Sequence, residues 1–331
     1  MIATIAHCSC GRITPGGHHM RRAVRVCAIL LLSGLTWLAG QCAAQAYNLR
    51  LATTDGLRDV VLLPAASRGP APTVIVLHGI AISASWTSKI SGFAEAARDR
   101  GLTSVYPEGI KAAWNDGREG VASGADDVGF LRKLVRELIR RGISDPARIY
   151  ITGISNGGMM ALRMLCEASE LFAGAGTTIA NMPARTGATC QINHPVPVVM
   201  VNGTADLLVP YNGGWVGPFG IGGNVWGTEK TAAFLARANG CATVARMDFP
   251  KTSITKTAWR DCIAPGKDVT LYRVNGGGHQ IYGRRGAIAS LMRTWGPDIS
   301  AAETIMAAFV KETPAPTRKE RIGARRAAGS F

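Results

Sequence analysis

Ser155 stands in a Gly-x-Ser-x-Gly pattern formed with Gly153 and Gly157, which is typical of a nucleophilic serine. Residues 149–152 before it predict a strand, and residues 159–168 after it predict a helix. A serine at such a turn exposes its Oγ, and glycine fits two positions away on either side because a Cβ would clash there. The helix that follows points free N–H groups at the place where an oxyanion would form. We therefore predict a nucleophilic serine; the less favoured interpretation is a chance pattern in a chain with 40 glycines.

A nucleophilic serine needs a base to accept its proton, and the base needs a carboxylate that orients it. After residue 46 the sequence contains three histidines, His78, His194 and His279. His279 follows the last strong predicted strand, on a loop with three consecutive glycines, and we predict that it is the base. His194 precedes a predicted strand and so belongs to the opposite end of the sheet. The alternative interpretation of His279 is an ordinary loop histidine.

The predicted carboxylate is Asp206, which follows the continuous apolar segment 196–201. It lies between Ser155 and His279 along the chain, the order that accompanies a serine at a strand-to-helix turn. A turn aspartate that caps its own loop is the alternative. The backbone N–H groups of Asn156 and of Ile80, which follows a strand ending in His-Gly, are predicted to bind the oxyanion.

Predicted strands and helices alternate along residues 47–312, which carry all of these side chains. Continuous apolar runs, such as residues 73–77, predict strands that are buried on both faces, as is typical of parallel sheets. We therefore predict one α/β domain with a mostly parallel central sheet and helices on both faces. The predicted functional residues follow strands, and in such sheets functional groups gather at the carboxyl ends of the strands.

Residues 1–46 are predicted to be an N-terminal extension followed by a secretory signal peptide. Basic residues follow Met20, the apolar segment 26–39 is short for a membrane span, and the small residues Ala44 and Ala46 fit a cleavage site. Met20 is the expected true start. We expect export to the periplasm or the medium, with no stable membrane insertion after cleavage. Several possible metal ligands precede Met20 and would be discarded, so no metal site is predicted: His7, Cys8, Cys10, His18 and His19.

The sequence is strongly basic, with a formal net charge of +15. Residues 313–331 are rich in proline and then basic, which predicts a disordered tail. Positive charge favours anionic surfaces, but no segment resembles a nucleic-acid-binding module, so no nucleic-acid partner is predicted. The proposed chemistry calls for no metal or organic cofactor, and the oligomeric state is left open.

Four cysteines follow the predicted cleavage site, and an even number in an exported chain indicates two disulfides. Three pairings are possible. We favour the local one, Cys166 with Cys190 and Cys241 with Cys262, because it closes two short loops.

Several segments together resemble the polyhydroxybutyrate depolymerase-like and feruloyl esterase-like exported esterases of the α/β-hydrolase superfamily. The matching pieces occur in the family's order and span residues 74–283: VIVLHG, VYPEG, DDVGFLRKLV, RIYITGISNGGMMA, LCEASELFAGAG, VNGTADLLVPYNGG and GGGHQIYG. The resemblance implies the α/β-hydrolase fold, serine esterase activity and a triad of Ser155, Asp206 and His279, and it agrees with the Cys166–Cys190 pair.

The sequence departs from the family pattern in two places. Ile80 stands where the family often has a small polar residue, and residues 279–283, HQIYG, stand where it often has His-x-Trp-Pro-Gly. The first change still supplies a backbone N–H, and both changes alter the lining of the pocket.

The expected substrate is a small or oligomeric carboxylic ester, in the first place a 3-hydroxybutyrate oligomer. A feruloyl or acetylxylan-type ester of plant polysaccharide is the alternative. Trp114, Trp215 and Trp226 lie on predicted loops and could stack on a substrate, although such tryptophans also pin glycine-rich loops. A serine peptidase of similar fold is a further alternative. A non-catalytic envelope binding protein is disfavoured because serine, aspartate and histidine are all present.

Overall fold

The computed structural model describes residues 46–67, 69–121, 124–217, 222–249, 252–283 and 299–311. The strands are β1 (Tyr47–Thr53), β2 (Gly56–Leu63), β3 (Ala71–Leu77), β4 (Thr103–Pro107), β5 (Ser144–Ile154), β6 (Gly174–Thr178), β7 (Val198–Gly203), β8 (Gly214–Trp215), β9 (Asn224–Val225), β10 (Thr243–Asp248), β11 (Ile254–Arg260) and β12 (Val269–Val274). The helices are α1 (Ala84–Ile90), α2 (Phe93–Arg98), α3 (Asp127–Arg140), α4 (Asn156–Ala168), α5 (Ala184–Thr189), α6 (Thr228–Ala238) and α7 (Ala301–Lys311). In these ranges no helix has the length and apolar character needed to cross a membrane.

Ten of the described strands form one sheet in the order β1-β2-β4-β3-β5-β6-β7-β12-β11-β10. The six strands from β4 to β12 in this order are parallel, whereas β1, β2, β10 and β11 pair antiparallel at the two edges. The continuous apolar runs of β3, β5 and β7 are buried on both faces because helices cover both. The α/β-hydrolase fold with a mostly parallel sheet is confirmed.

Two apolar clusters fill the two sides of the sheet. One packs the side chains of α3, α4 and α6 against the sheet, and the other packs those of α1, α2 and α7 against the opposite face. Alternate residues of one strand therefore enter different clusters: Ile75 joins the first, whereas Val74 and Val76 join the second. This three-layer packing holds the parallel strands in register.

The register brings the carboxyl ends of the parallel strands to one edge of the sheet. Leu77 pairs with Gly153 between β3 and β5, and Gly203 pairs with Val274 between β7 and β12. The residues that follow these strands therefore emerge at the same edge. This explains how positions that are distant in sequence can form one site.

Both predicted disulfides are confirmed, Cys166–Cys190 and Cys241–Cys262. The first joins α4 to the end of α5, and the second joins the end of α6 to the turn after β11. Their ends are 24 and 21 residues apart in sequence. In the chain-entropy model, loops of this length contribute about 3 kcal/mol each.

Some local predictions are corrected. The helical spacing of Phe93, Ala94 and Ala97 predicts one helix over roughly residues 86–99, but the structure has two, α1 and α2, because Gly92 adopts a φ of 83° between them. Strands β10 and β11 extend the sheet where no strand was predicted. The glycine-rich segment 211–227 contains the small pair β8 and β9. The predicted leader, except Ala46, and the predicted tail lie outside the described residues.

Candidate active site

Ser155 lies at a sharp turn between β5 and α4, with φ 54° and ψ −120°. A positive φ is unusual for a residue with a side chain and stores about 1–3 kcal/mol of strain. The flanking glycines permit the turn. A Cβ on Gly153 would lie 2.2 Å from the backbone of Gly157, and one on Gly157 would lie 2.3 Å from the carbonyl oxygen of Leu77. Glycine is therefore required at positions 153 and 157, as the sequence predicts.

The serine backbone is held from both sides of the turn. The N–H of Ser155 donates to the carbonyl of Thr178 at 2.9 Å, and the carbonyl of Ser155 accepts from the N–H of Met159 at 3.0 Å. Asn156 is the first residue of α4, so its N–H has no intrahelical acceptor. The helix thus directs an N–H without an intrahelical acceptor, and the positive end of its dipole, toward the serine.

The other predicted oxyanion donor, Ile80, lies on the loop after β3. The adjacent Ala81 has a φ of 61°, and its N–H donates to the carbonyl of Ala112 at 2.8 Å. Within the described ranges the N–H of Ile80 has no acceptor. A Cβ on Gly79 would lie 3.5 Å from the carbonyl oxygen of Ile154. This loop therefore passes close to the strand-to-helix turn at Ser155, which we call the elbow. The backbone N–H of Ile80 is therefore available close to Ser155.

Asp206 and His279 form a hydrogen-bonded pair. Nδ1 of His279 lies 2.8 Å from Oδ2 of Asp206. Because a carboxylate only accepts, Nδ1 carries the proton and Nε2 is left free to accept one. The other oxygen of Asp206 accepts the N–H groups of Leu208 and Val209, at 2.9 and 2.8 Å. The carboxylate is therefore fixed before it orients the imidazole.

The loops that carry this pair are joined to each other. The N–H of Ala205 donates to the carbonyl of Gly277 at 2.9 Å, and the N–H of Gly276 donates to Oγ1 of Thr204 at 2.9 Å. The buried hydroxyl of Tyr282 donates to the carbonyl of Gly278 at 2.8 Å, next to His279. The histidine loop is therefore closed by hydrogen bonds at both of its ends.

No hydrogen bond joins Oγ of Ser155 to Nε2 of His279, two residues that the structure describes. The structure thus pairs the predicted base with the predicted carboxylate but does not join either to the serine. Hydrogen bonds of this kind are often long without substrate and tighten when it binds.

His78 has a structural role and not a catalytic one. Its ring is fully buried, Nδ1 donates to the carbonyl of Gly79 at 2.8 Å, and Nε2 accepts the N–H of Gly109 at 2.8 Å. Burial lowers the pKa of His78 to about 4, with a smaller contribution from the positive charge of Arg58. The imidazole is therefore neutral at physiological pH, and it joins the loop after β3 to the loop after β4.

The three tryptophans do not share one role. Trp114 is fully buried beside the ring of His78, and its Nε1 donates to the carbonyl of His78 at 3.0 Å. The prediction that Trp114 contacts substrate is wrong, because no face of its indole is accessible. Trp226 is half-buried and packs edge-on against Phe234. Trp215 is exposed, so for Trp215 a contact with substrate stays a prediction.

The loop that contains Trp114 also carries a buried ion pair that the sequence analysis missed. Nη2 of Arg118 lies 2.7 Å from Oδ2 of Asp116, and both side chains are almost fully buried. The same carboxylate oxygen accepts from Nδ2 of Asn156 at 2.7 Å. The available signal was an acid and an arginine two residues apart in a short loop, which alone does not predict burial. In the described residues, no group of three or more His, Cys, Asp or Glu side chains could hold a metal ion.

Exposed apolar side chains lie on two of the loops that carry predicted functional residues. Leu207 and Leu208 come directly after Asp206, and Ile80 lies on the loop after β3. The N–H of Gly217 donates to the carbonyl of Leu208 at 2.8 Å, which connects this loop to the segment carrying Trp215. We call these four side chains, Ile80, Leu207, Leu208 and Trp215, the apolar rim.

Comparisons with known proteins agree with this fold. A model of the prolyl oligopeptidase family matches residues 123–191, which include the elbow. A putative esterase, NocK, from Nocardia uniformis subsp. tsuyamanensis is 32% identical over 223 residues, which cover 63% of this chain and 64% of that protein. Feruloyl esterase B from Piromyces equi is 30% identical over 229 residues, 66% of this chain and 42% of that protein.

A poly(3-hydroxybutyrate) depolymerase from Ralstonia pickettii is 28% identical over 199 residues, 56% of this chain and 40% of that protein. This chain thus spans less than two thirds of the length of the curated relatives that it matches. The acetyl xylan esterase structure from Aspergillus awamori has a TM-score of 0.52 at 12% identity, and the match covers 74% of this chain and 98% of that one, which supports the fold. These matches show that the chain is similar to esterases, among them a feruloyl esterase and a poly(3-hydroxybutyrate) depolymerase, and they support the α/β-hydrolase fold.

Proposed function

We propose that this chain is an exported serine esterase. In this proposal Ser155 is the nucleophile, His279 is the general base and Asp206 orients and stabilises the imidazole. The backbone N–H groups of Ile80 and Asn156 bind the oxyanion. The observation that carries the proposal is the His279–Asp206 hydrogen bond of 2.8 Å, which leaves Nε2 free, together with the strained turn that exposes a serine at the same edge of the sheet.

The proposed reaction has two steps. In the first, Nε2 of His279 takes the proton of Ser155, and Oγ attacks the ester carbonyl carbon. The tetrahedral oxyanion accepts hydrogen bonds from the two N–H groups, and it collapses as the alcohol leaves with the proton held by His279. In the second step, His279 deprotonates a water molecule that attacks the acyl-enzyme. The carboxylic acid is released and Ser155 regains its proton.

For the substrate we propose a small or oligomeric ester with an apolar acyl part, in the first place a soluble 3-hydroxybutyrate oligomer. The apolar rim supports this choice, because exposed apolar side chains beside a polar reaction centre favour a substrate that is apolar around its ester bond. The curated relative that hydrolyses poly(3-hydroxybutyrate) supports the same class.

A feruloyl ester is the second candidate. The exposed indole of Trp215 favours it, since an aromatic acid can stack on that ring. The relative named feruloyl esterase B also supports this candidate. A serine peptidase has weaker support, because the prolyl oligopeptidase model matches only residues 123–191.

We also propose that the protein acts outside the cytoplasm. Two disulfides support this location, because such bonds persist in oxidising compartments and are rare in reducing ones.

The test is hydrolysis of a substrate panel by the purified protein and by Ser155→Ala. The panel contains p-nitrophenyl acetate and butyrate, methyl ferulate and soluble 3-hydroxybutyrate oligomers. We expect the Ser155→Ala change to lower kcat about 10⁵–10⁶-fold while the protein stays folded. The substrate with the highest kcat/KM selects between the two ester classes. Activity that is equal in both proteins would contradict the proposal. So would a folded protein that hydrolyses none of the panel and remains unlabelled by a fluorophosphonate probe.

A further inference from the structure

We propose that Asp116 is a positioning residue for the oxyanion hole, acting through the side chain of Asn156. This inference rests on the proposed function, since it concerns the rate of the same reaction. It assigns a role to the buried Asp116–Arg118 pair, which the triad mechanism does not use. Asp116 itself contacts neither the serine nor the histidine among the described hydrogen bonds.

The side chain of Asn156 is locked by the loop that precedes α3. Its Oδ1 accepts the N–H of Trp114 at 2.8 Å, and its Nδ2 donates to the carbonyl of Trp114 at 2.9 Å. Nδ2 also donates to Oδ2 of Asp116 at 2.7 Å. Because Asn156 is almost fully buried, these bonds fix the orientation of the residue whose backbone N–H faces the proposed oxyanion.

Asp116 is in turn held by Arg118. The carboxylate accepts from Nε of Arg118 at 3.1 and 2.9 Å and from Nη2 at 2.7 Å, and Oδ1 also accepts the backbone N–H of Arg118 at 3.0 Å. A buried carboxylate is stable only when it is paired and its lone pairs are satisfied. The guanidinium therefore keeps a charged acceptor beneath Asn156, and charged acceptors form the stronger hydrogen bonds.

The same loop also holds the other proposed donor. The carbonyl of Ala112 accepts the N–H of Ala81, the residue after Ile80, at 2.8 Å. The indole of Trp114 donates to the carbonyl of His78, at the start of the Ile80 loop. Residues 109–118 thus contact the segments that carry both N–H groups. The distance between these groups depends on this one loop, and Asp116 fixes its position relative to Asn156.

If the side chain of Asn156 had only a structural role, its loss would lower stability without a specific decrease in kcat. Another buried asparagine in the chain provides a matched control. Asn239 is also a buried asparagine, and its Nδ2 donates to the carbonyls of Val196 and Lys267 at 2.8 and 2.7 Å. These two residues precede β7 and β12, so Asn239 lies at the amino ends of the strands, opposite the proposed site.

The experiment compares Asn156→Ala with Asn239→Ala in the full-length protein, using p-nitrophenyl acetate and an alkyl boronic acid. The boronic acid forms a tetrahedral adduct whose oxygen occupies the oxyanion position. Loss of a whole donor typically costs ~10²–10³ in kcat, so we expect about a 10- to 100-fold decrease for Asn156→Ala, which keeps its N–H but loses its position. KM should change less than about twofold, and boronic acid affinity should fall in parallel with kcat. Asn239→Ala should lower the unfolding temperature while its kcat stays within about twofold of the unchanged protein.

Asp116→Asn tests the intermediate step. We expect it to lower kcat and boronic acid affinity, but to have less than about a twofold further effect in a protein that already carries Asn156→Ala. If Asp116→Asn does not fold, Arg118→Lys, which removes the paired guanidinium contacts to Asp116, takes its place in the same comparison with Asn156→Ala. The inference is overturned if Asn156→Ala keeps kcat within about twofold, or if the Asp116 and Asn156 effects multiply independently. A protein without any Ser155-dependent activity would instead overturn the proposed function.

Discussion

The serine side and the histidine side of the proposed site are built differently. Around Ser155 the chain is encased, because Ile154 and Asn156 are buried and the flanking glycines leave no free space. On the histidine side, Leu207 is 88% exposed and the His279 side chain is 18% exposed. There the geometry depends on hydrogen bonds between two loops.

This difference accounts for one of the two departures from the family pattern, the one in the histidine loop. A strained backbone persists only where its surroundings determine it fully, and the elbow retains both of its glycines. The histidine loop needs only to present one imidazole to one carboxylate. It therefore accommodates Tyr282 at the position where the resemblance would place a proline.

The largest difference between the two sides is expected for glycine substitutions. Gly153→Ala should prevent folding or lower the free energy of unfolding by about 3 kcal/mol or more, because its Cβ would meet the Gly157 backbone. Gly276→Ala in the histidine loop should cost about 1–2 kcal/mol, since its φ of 72° is strained for alanine but its Cβ meets nothing within 4 Å. Urea denaturation measures both. Equal losses would contradict the comparison.

An effect of intermediate size is expected from pH on the serine side. The pKa of His78 is lowered from 6.5 to about 4 by burial, so below pH 6.5 the unfolded chain binds a proton that the folded chain does not. Stability should therefore fall as the pH drops from 6.5 toward 4, by about 3 kcal/mol from this residue. Above pH 6.5 this contribution is fully present.

The measurement is the free energy of unfolding of the unchanged protein and of His78→Asn between pH 7.5 and 4.5. The variant should be less stable at pH 7.5, because His78 makes hydrogen bonds to Gly79 and Gly109. The difference between the two proteins should shrink as the pH falls. A difference that does not change with pH would show that folding leaves the pKa of His78 unchanged, which would contradict this prediction.

The smallest effect is expected in the histidine loop. Tyr282→Phe removes the hydrogen bond to Gly278 and should cost about 1 kcal/mol of stability and reduce kcat a few-fold. Tyr272→Phe on β12 is the control, because no hydrogen bond of its hydroxyl is found in the described residues. If the two variants have equal kcat values, the Tyr282 hydroxyl has no role in holding His279.

Much of the fold follows from sequence patterns that act locally. The buried strands are visible in the sequence as continuous apolar runs, and the run at residues 73–77 corresponds to β3, Ala71–Leu77. Strand β10 was not predicted because all six of its residues are exposed and its sequence, TVARMD, has no alternation. Its pairing with β11 comes from backbone hydrogen bonds, which carry little sequence signal.

The site shows the same division between local and non-local information. The glycines around Ser155 determine the geometry of the turn in which they lie, so this turn could be predicted from the local sequence. The burial of Trp114 depends on His78 and Asn156, which are 36 and 42 residues away in sequence. A tryptophan on a loop has the same local sequence whether it faces substrate or supports the elbow. The role of Asp116 could not be predicted for the same reason.

Labelling with a fluorophosphonate probe, followed by mass spectrometry of the labelled peptide, tests whether Ser155 is an activated nucleophile. The reaction needs an activated serine and donors for the phosphoryl oxygen, but it does not depend on knowing the ester substrate. We predict one label on Ser155, none in Ser155→Ala, and labelling slowed about 10³-fold or more in His279→Ala. A folded protein that remains unlabelled, or one whose label persists in Ser155→Ala, would contradict the account.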